Sequence, residues 1–380
     1  MHIPPIAVYC SSSSWGGLEM NTCRLAVWLS QRGGNVTLFC LADSPILKAA
    51  EKQQVPVTEI RRNKRYFDLF NAARLRKQLI QKGIRFLILT YNRDLDFGGL
   101  VKLLDRCRLH LIYQQHMMLG ITKKNLIHTF RFRMLDAWIT ILPYMEEEIR
   151  QKTRFPAGRI HLIPLGLDVG ALTSRKIPKA EARRILDIPP TRTFLGILGR
   201  LDRQKGQHVV IEALSLLRKN GQTLSLLVMG ESTRNEGADY PAELNSLVRQ
   251  NGLDEQVIFR GYHEDVSLFY SAVDLFVLGS FGETYGMVTI ESMIYGIPVI
   301  GSDAGGTPGI LGNGTYGWLY KPQDPEDLAR KIAEALADPE KMRQKARLAQ
   351  LYAMDTFSHE TECVKIEKLL NKIHSGGSGG

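Results

Sequence analysis

The sequence predicts an α/β protein of two doubly wound domains, each built on an open parallel sheet. Three observations carry that prediction. The chain has 380 residues, too many for one ordinary core. Short apolar runs of strand length alternate with segments of helical periodicity along most of it, which implies parallel strands with helices on both faces. Two glycine-rich loops, at 281–286 and 303–308, follow neighbouring strands, and such loops mark a ligand crevice at the edge of an α/β sheet.

Composition excludes several classes. Hydrophobic residues make up 44% and charged residues 23%, the usage of a soluble globular protein rather than a disordered or fibrous one. No apolar run reaches about 18 residues, so no membrane span is expected. Met1 to Pro5 lead straight into a strand, so a signal peptide is not expected and the protein should be cytoplasmic. The five cysteines, Cys10, Cys23, Cys40, Cys107 and Cys363, lack metal-ligand spacing and read as reduced, mostly buried thiols. Ser375 to Gly380, SGGSGG, reads as a linker outside the fold.

The net charge of +10 is uneven: residues 1–170 carry +12 and the remainder −2. Arg61 to Arg85 holds nine basic residues against Asp68 alone, interleaved with Tyr66, Phe67, Leu69 and Phe70. Lys123-Lys124 and Arg131-Phe132-Arg133 repeat the mixture. Cations among aromatics suit an anionic membrane surface, a phosphate-bearing acceptor or nucleic acid, and a solvated helix face is the plain alternative.

In the first half, Ile6 to Cys10 is a strand, Ser11 to Gly17 a turn, Leu18 to Arg32 a helix ending at Gly33-Gly34, and Val36 to Cys40 the next strand. The first loop of this βαβ unit could bind phosphate, but it lacks G-x-G-x-x-G, which disfavours a dinucleotide cofactor. Further strands are expected at Phe86 to Thr90, Leu109 to Tyr113, Ala137 to Leu142 and Ile160 to Pro164. His116 stands just past the carboxyl end of the Leu109 strand, the edge where ligands sit. Asp94-Leu95-Asp96 has a spacing that can hold a divalent metal. The polar, glycine-containing sequence from Asn92 to Gly99 reads as a loop instead, and no metal site is expected.

The first sheet ends at Pro164-Leu165-Gly166-Leu167-Asp168, and a polar connection to Pro190 marks the domain junction. Strands follow at Thr193 to Leu198, Ser225 to Met229, Val257 to Arg260, Leu275 to Leu278 and Pro298 to Gly301. The loop after the first of these, before a helix from about His208, carries Arg200 and Lys205. These are a fork and a point charge suited to a pyrophosphate. Lys341 to Leu351 and Ser358 to Ile373 are amphipathic helices.

The stretch from Leu275 to Ile310 is the centre of the second block. Glu283 lies in the loop, and helical periodicity begins near Met287. The N–H groups around Gly286 and Met287 suit a phosphate. Glu291 follows on the helix, at most roughly 12 Å from Glu283 along the axis, so the two carboxylates could hold hydroxyls at opposite ends of one extended anionic ligand.

On these residues the chain resembles the retaining glycosyltransferases of family 4, whose GT-B fold is two Rossmann-like domains with parallel sheets facing a central cleft. The likeness runs from Ile6 to about Ile373. It rests on Gly16-Gly17 with Glu19, Pro164 to Asp168, Gly199-Arg200 with Lys205-Gly206, and Glu283 through Glu291. It implies an acceptor-side domain over 1–168, a nucleotide-sugar domain over 169–355, and a last helix, about 356–374, that packs back on the first domain. Arg200 and Lys205 would neutralise the diphosphate, and Glu283 would contact the transferred sugar. Thr284, Tyr285, Gly286 and Met287 would line the donor, and Glu291 would take the ribose. Gly16 and Gly17 would approach the diphosphate, and His116 would lie near the sugar.

The implied reaction is metal-independent transfer of a hexose or N-acetylhexosamine, with retention, from a nucleotide diphosphate sugar, UDP-sugar favoured. The acceptor would be an envelope saccharide or a lipid-linked hydroxyl. No cofactor beyond the co-substrate is expected. A location on the inner face of the cytoplasmic membrane, through Arg61 to Arg85, is the expected partner surface, and nucleic acid is not an expected partner. Gly309, Tyr285 and the missing acid after His116 depart from the family pattern and bear on sugar identity. A sugar epimerase or phosphorylase of the same fold, or a basic nucleic-acid-binding protein, are the alternatives.

Overall fold

Strand Ile6–Cys10 (β1) is buried along its whole length, and its side chains divide between two cores. Ile6, Val8 and Cys10 enter one and Ala7 and Tyr9 the other, as the period of two requires of a strand covered on both faces. In this computed structural model, residues 4–63, 68–106, 108–232, 239–263 and 265–376 are described. They form two units, Met1–Leu167 with Ser358–Gly380, and Asp168–Phe357.

The other strands of the first unit are Val36–Leu41 (β2), Val57–Ile60 (β3), Phe86–Leu89 (β4), His110–Gln114 (β5), Ala137–Thr140 (β6) and Ile160–Leu162 (β7). All neighbours are parallel, in the order β3-β2-β1-β4-β5-β6-β7. The order turns back between β1 and β4, so the loops after these two strands part and leave a crevice. Helices Gly17–Gln31 and Pro45–Lys52 cover one face, and Leu69–Gln81, Leu95–Leu104 and Leu126–Arg133 contribute to the other.

The last helix, His359–Gly376, closes the first face. Cys363, Ile366, Leu369 and Leu370 join the core of Leu25 and Trp28, and burial of each of the three aliphatic side chains contributes about 1.5–3 kcal/mol relative to exposure. Glu362 is buried and accepts from Gly166 N at 2.7 Å and from Gln114 Nε2 at 2.9 Å. Gly166 is glycine for contact: a Cβ there would stand 2.4 Å from His359 Cα. The Arg32 guanidinium grips Glu367 at 2.7 and 2.9 Å.

The second unit has strands Phe194–Leu198 (β8), Ser225–Met229 (β9), Val257–Arg260 (β10), Leu275–Leu278 (β11), Val299–Ser302 (β12) and Trp318–Tyr320 (β13). They are parallel in the order β10-β9-β8-β11-β12-β13, and the order turns back between β8 and β11.

Several expectations are corrected. Strands β3 and β13 were not foreseen: β3 is half buried and carries Thr58 and Glu59, and β13 is three residues following a glycine-rich turn, so neither presents a continuous apolar run. The stretch from Asn92 to Gly99 is no loop: a 3-10 turn, Asn92–Asp94, enters helix Leu95–Leu104. Its Leu95, Phe97 and Val101 are core, and Gly98 is there for packing, since a Cβ would meet Leu89 Cδ1 at 2.6 Å. The connection to Pro190 contains helices Val169–Ser174 and Lys179–Ile185, the first capped by Asp168, which accepts from Ala171 N at 2.8 Å. Cys10, Cys23, Cys40 and Cys363 are buried free thiols, and burial pushes Cys10 and Cys40 up to about 12; Cys107 lies outside the described residues.

Candidate active site

In the second unit the polar residues gather where the strand order turns back. The loop after β8 and the loop after β11 touch backbone to backbone. Gly206 sits at φ +69°, and a Cβ there would stand 2.1 Å from Gly279 O. Phe281 N donates to Gln204 O at 3.1 Å. This contact carries Lys205 to Glu283: Nζ donates to Oε2 at 2.6 Å, and Ser280 Oγ lies 3.2 Å from the same oxygen. The loop after β12 grips Glu283 from behind. Gly306 N donates to its carbonyl at 2.8 Å, and Gly305, at φ +59°, leaves room that a Cβ 2.4 Å from that carbonyl would take. Glu283 is therefore held at side chain and backbone together.

Helix Met287–Ile294 opens through Gly286, which is left-handed at φ +71°. The first-turn N–H groups of such a helix lack intrahelical partners and carry the positive end of its dipole. Glu291, one turn further on, accepts from the Tyr270 hydroxyl at 2.6 Å. Burial and the adjacent Glu291 carboxylate hold Tyr270 far above its ordinary pKa, so it stays a donor. Arg200 leaves β8 on the same edge, half exposed, and pairs with Asp202 at 3.0 Å. Thr284 lies in the loop, whereas the Tyr285 ring is buried, edge-on to Phe357 at 6.3 Å.

In the first unit the crevice between β1 and β4 is a cavity of about 690 Å³, lined by Ser11 to Ser14, Arg62, Asn63, Tyr91 to Asp94, Asp96 and Arg131. The two aspartates of the D-x-D sequence do not converge. Asp94 is buried and accepts from Ser11 N at 2.9 Å and from Ser11 Oγ, while Asp96 takes the Arg131 Nε at 2.6 Å. Burial pushes the Asp94 carboxyl up to about 7. Arg62 donates to Ser13 Oγ at 3.1 Å, and Ser12 Oγ donates to buried Glu19. The serine-rich loop after β1 is legible in the sequence as a ligand loop, but its convergence with Arg62, Arg131 and the loop after β4 into one cavity is not. Lys64, Arg65, Tyr66 and Phe67 of the basic stretch lie outside the described residues.

Gly16 and Gly17 lie at the start of helix Gly17–Gln31. Gly16 is in extended backbone, and a Cβ on Gly17 would meet nothing within 4 Å. Nothing local requires glycine at Gly17. His116 follows β5, buried, with Nε2 making no hydrogen bond among the described residues. Burial pushes the ring down to about 4, so it is neutral at pH 7. Its neighbours are structural: Gln115 accepts from Trp138 Nε1 at 2.9 Å, and Gln114 donates to Glu362.

Two doubly wound parallel sheets, each with polar loops at its turning point, constitute the GT-B architecture. Solved structures share it: the Anabaena protein HepE in complex with UDP has a TM-score of 0.84 at 23% identity, over 98% of this chain and 100% of that one. A glycosyltransferase from Rickettsia africae has a TM-score of 0.85 at 16% identity, over 97% and 98%. The family model Glycosyltransferase Family 4 matches residues 15–170, and Glycosyl transferases group 1 matches 178–350. The chain belongs to glycosyltransferase family 4. Similar proteins include the D-inositol 3-phosphate glycosyltransferase of Corynebacterium kroppenstedtii, 33% identical over 43% of this chain and only 37% of that protein's length. That of Nocardia farcinica is 26% identical over 95% of this chain and 86% of its own. The mannosylfructose-phosphate synthase of Agrobacterium fabrum is 32% identical over 52% and 44%.

Proposed function

We propose that this protein is a retaining glycosyltransferase moving a hexose or N-acetylhexosamine from a nucleotide diphosphate sugar to a hydroxyl of an envelope saccharide or lipid-linked acceptor. A UDP-sugar is the favoured donor, and neither a metal nor a further cofactor takes part. The observation that carries the reading is the Lys205–Glu283 pair beside the opening of helix Met287–Ile294. Departure of a nucleoside diphosphate builds negative charge on its oxygens. An ammonium with three donors can keep Glu283 and still reach phosphate. Arg200 adds a planar fork and the helix start adds oriented N–H groups, so the charge meets preplaced donors as it forms.

In this reading Glu283 binds hydroxyls of the transferred sugar, and Glu291 binds the ribose hydroxyls. The loop through Thr284, Tyr285, Gly286 and Met287 offers its backbone to the donor. The acceptor hydroxyl attacks from the face the diphosphate leaves. The new C–O bond forms as the old one breaks, and a leaving oxygen takes the proton, so Glu283 need not act as nucleophile. In the first unit, Gly16 and Gly17 offer N–H groups to phosphate oxygens, and neutral His116 holds one ring nitrogen for a hydroxyl of a bound saccharide.

The cavity of the first unit takes the acceptor. Its serines and asparagines suit a polyol, while Arg62 and Arg93 suit an anionic substituent. Relatives named for D-inositol 3-phosphate and for mannosylfructose-phosphate support an anionic acceptor. The lipopolysaccharide core biosynthesis mannosyltransferase LpsB of Rhizobium meliloti, 32% identical over 33% of this chain, supports an envelope product. Among the described residues, no helix is long and apolar enough to cross a membrane. The reading places the enzyme in the cytoplasm at the inner membrane face, with the basic excess of residues 1–170 toward anionic lipid.

The test is thermal stability with UDP, GDP and ADP on the wild type and on Glu291→Gln. A nucleotide at about 100 times its dissociation constant adds roughly 2.7 kcal/mol. UDP should raise the wild-type melting temperature and raise that of the variant much less. No shift with any nucleotide would remove the donor assignment.

A further inference from the structure

Between His116 and Asp136 the chain carries no acidic residue and four cations, Lys123, Lys124, Arg131 and Arg133. The same stretch concentrates exposed apolar surface: Leu126 is 81% exposed, Ile121 and Ile127 73%, Phe130 59%, Met117 57% and Met118 46%. Single exposed apolar residues are ordinary, but six within 14 positions are not. Leu126, Ile127 and Phe130 lie on one stripe of helix Leu126–Arg133, at the spacing of three and four that shares a face.

The stripe is held outward by an anchored element. Phe132, on the face opposite the stripe, is in the core, and Arg131, on the flank beside Ile127, is held by Asp96, so the helix is fixed against rolling. Asn125 caps it, accepting from His128 N at 2.9 Å. The preceding loop is tied down by Lys123 N to Lys152 O at 2.7 Å, by Lys152 Nζ to Gly120 O at 2.6 Å, and by Leu119 N to Glu148 Oε2 at 2.8 Å. Apolar side chains thus project from a firm base with exposed Lys124 and Arg133 among them.

We infer that residues 117–133 form a membrane-docking surface, in which Leu126, Ile127 and Phe130 enter the headgroup boundary of an anionic bilayer while Lys124 and Arg133 pair with lipid phosphates. The charge decides the occupant. A dry protein interface favours depletion of lysine, whereas an anionic lipid surface favours apolar side chains ringed by Lys and Arg. This deepens the membrane-proximal part of the reading above, and it moves the contact from Arg61–Arg85, where Arg62 is engaged in the cavity, to this helix.

The experiment is co-sedimentation of the full chain with vesicles of phosphatidylcholine alone and of phosphatidylcholine mixed with phosphatidylglycerol. Wild type, Lys124→Gln/Arg133→Gln and Ile127→Ser/Phe130→Ser are compared, each checked for UDP binding and for monomeric state by sedimentation velocity. Each cation near such a surface is worth roughly fivefold in binding. The charge variant should therefore lose about 25-fold on the mixed vesicles, and the wild type should lose affinity as salt rises. The serine variant should lose at least about tenfold. Absence of wild-type binding to mixed vesicles, or binding unchanged in both variants, overturns the inference. So does a wild-type dimer that the serine variant dissociates, which would make a second copy the occupant. If UDP binding persists while vesicle binding fails, only the docking surface falls and the donor site stands.

Discussion

Lys205 and Glu283 are 78 positions apart in the chain and 2.6 Å apart in space. Two strand ends on either side of the β8–β11 turning point bring them together, and the Gly206–Gly279 backbone contact sets the distance. In the proposed reaction the same cation would anchor the carboxylate and face the leaving diphosphate, and so couple the two ends of the transfer.

That coupling is measurable. Lys205→Ala and Glu283→Gln should each lower kcat by about 10²–10³, the cost of one lost charge-stabilising contact. Because each holds the other, the double variant should fall little below the worse single one. Steady-state kinetics with a double-mutant cycle checks this, and multiplicative losses would separate the roles of the two residues.

Two glycines should respond in opposite ways. Gly305→Ala places a Cβ 2.4 Å from Glu283 O at a left-handed position, so it should cost on the order of 1–3 kcal/mol and lower kcat by displacing Glu283. Gly17→Ala meets nothing and improves helix propensity, so its melting temperature should hold or rise. Its kcat/KM should drop if phosphate approaches that backbone. Melting curves and kinetics on both variants decide it.

The closing helix brings a pH dependence. Burial raises the Glu362 carboxyl from 4.5 to about 7. A raised acid contributes stability that is fully present below the unfolded pKa and is lost as pH rises through the folded one. The wild type should therefore lose on the order of 3 kcal/mol from this group between pH 4.5 and 7. Glu362→Gln, which does not titrate, should not. The difference in melting temperature, variant minus wild type, should grow with pH across that window; a flat difference would show that Glu362 titrates normally. Buried His116, pushed down to about 4, acts the other way in both proteins and cancels in the comparison.

Much of this was legible in the order of residues. Strand-length apolar runs such as Ile6 to Cys10 and Leu275 to Leu278 declare buried parallel strands, because a strand covered on both faces has no polar alternation to hide it. The short β3 and β13 were not: β3 carries Thr58 and Glu59 and is only half buried, and β13 is three residues just after the turn at Gly312 to Gly317, so neither shows as an uninterrupted apolar run. Gly98 misled for a related reason: glycine signals a turn and a close helix–strand contact with the same letter.

Of the candidate site, local chemistry was readable and convergence was not. Arg200 and Lys205 at a strand end, Glu283 before a helix and Glu291 upon it follow from spacing along one chain. That Tyr270 would orient Glu291, or that Ser11 would claim Asp94 and Arg131 claim Asp96, depends on partners 21, 83 and 35 positions away. The basic aromatic stretch shows the division well. Its composition announces an anionic partner, but whether Phe130 or Phe132 faces out is settled by which ring the core accepts, and that is a property of packing in three dimensions.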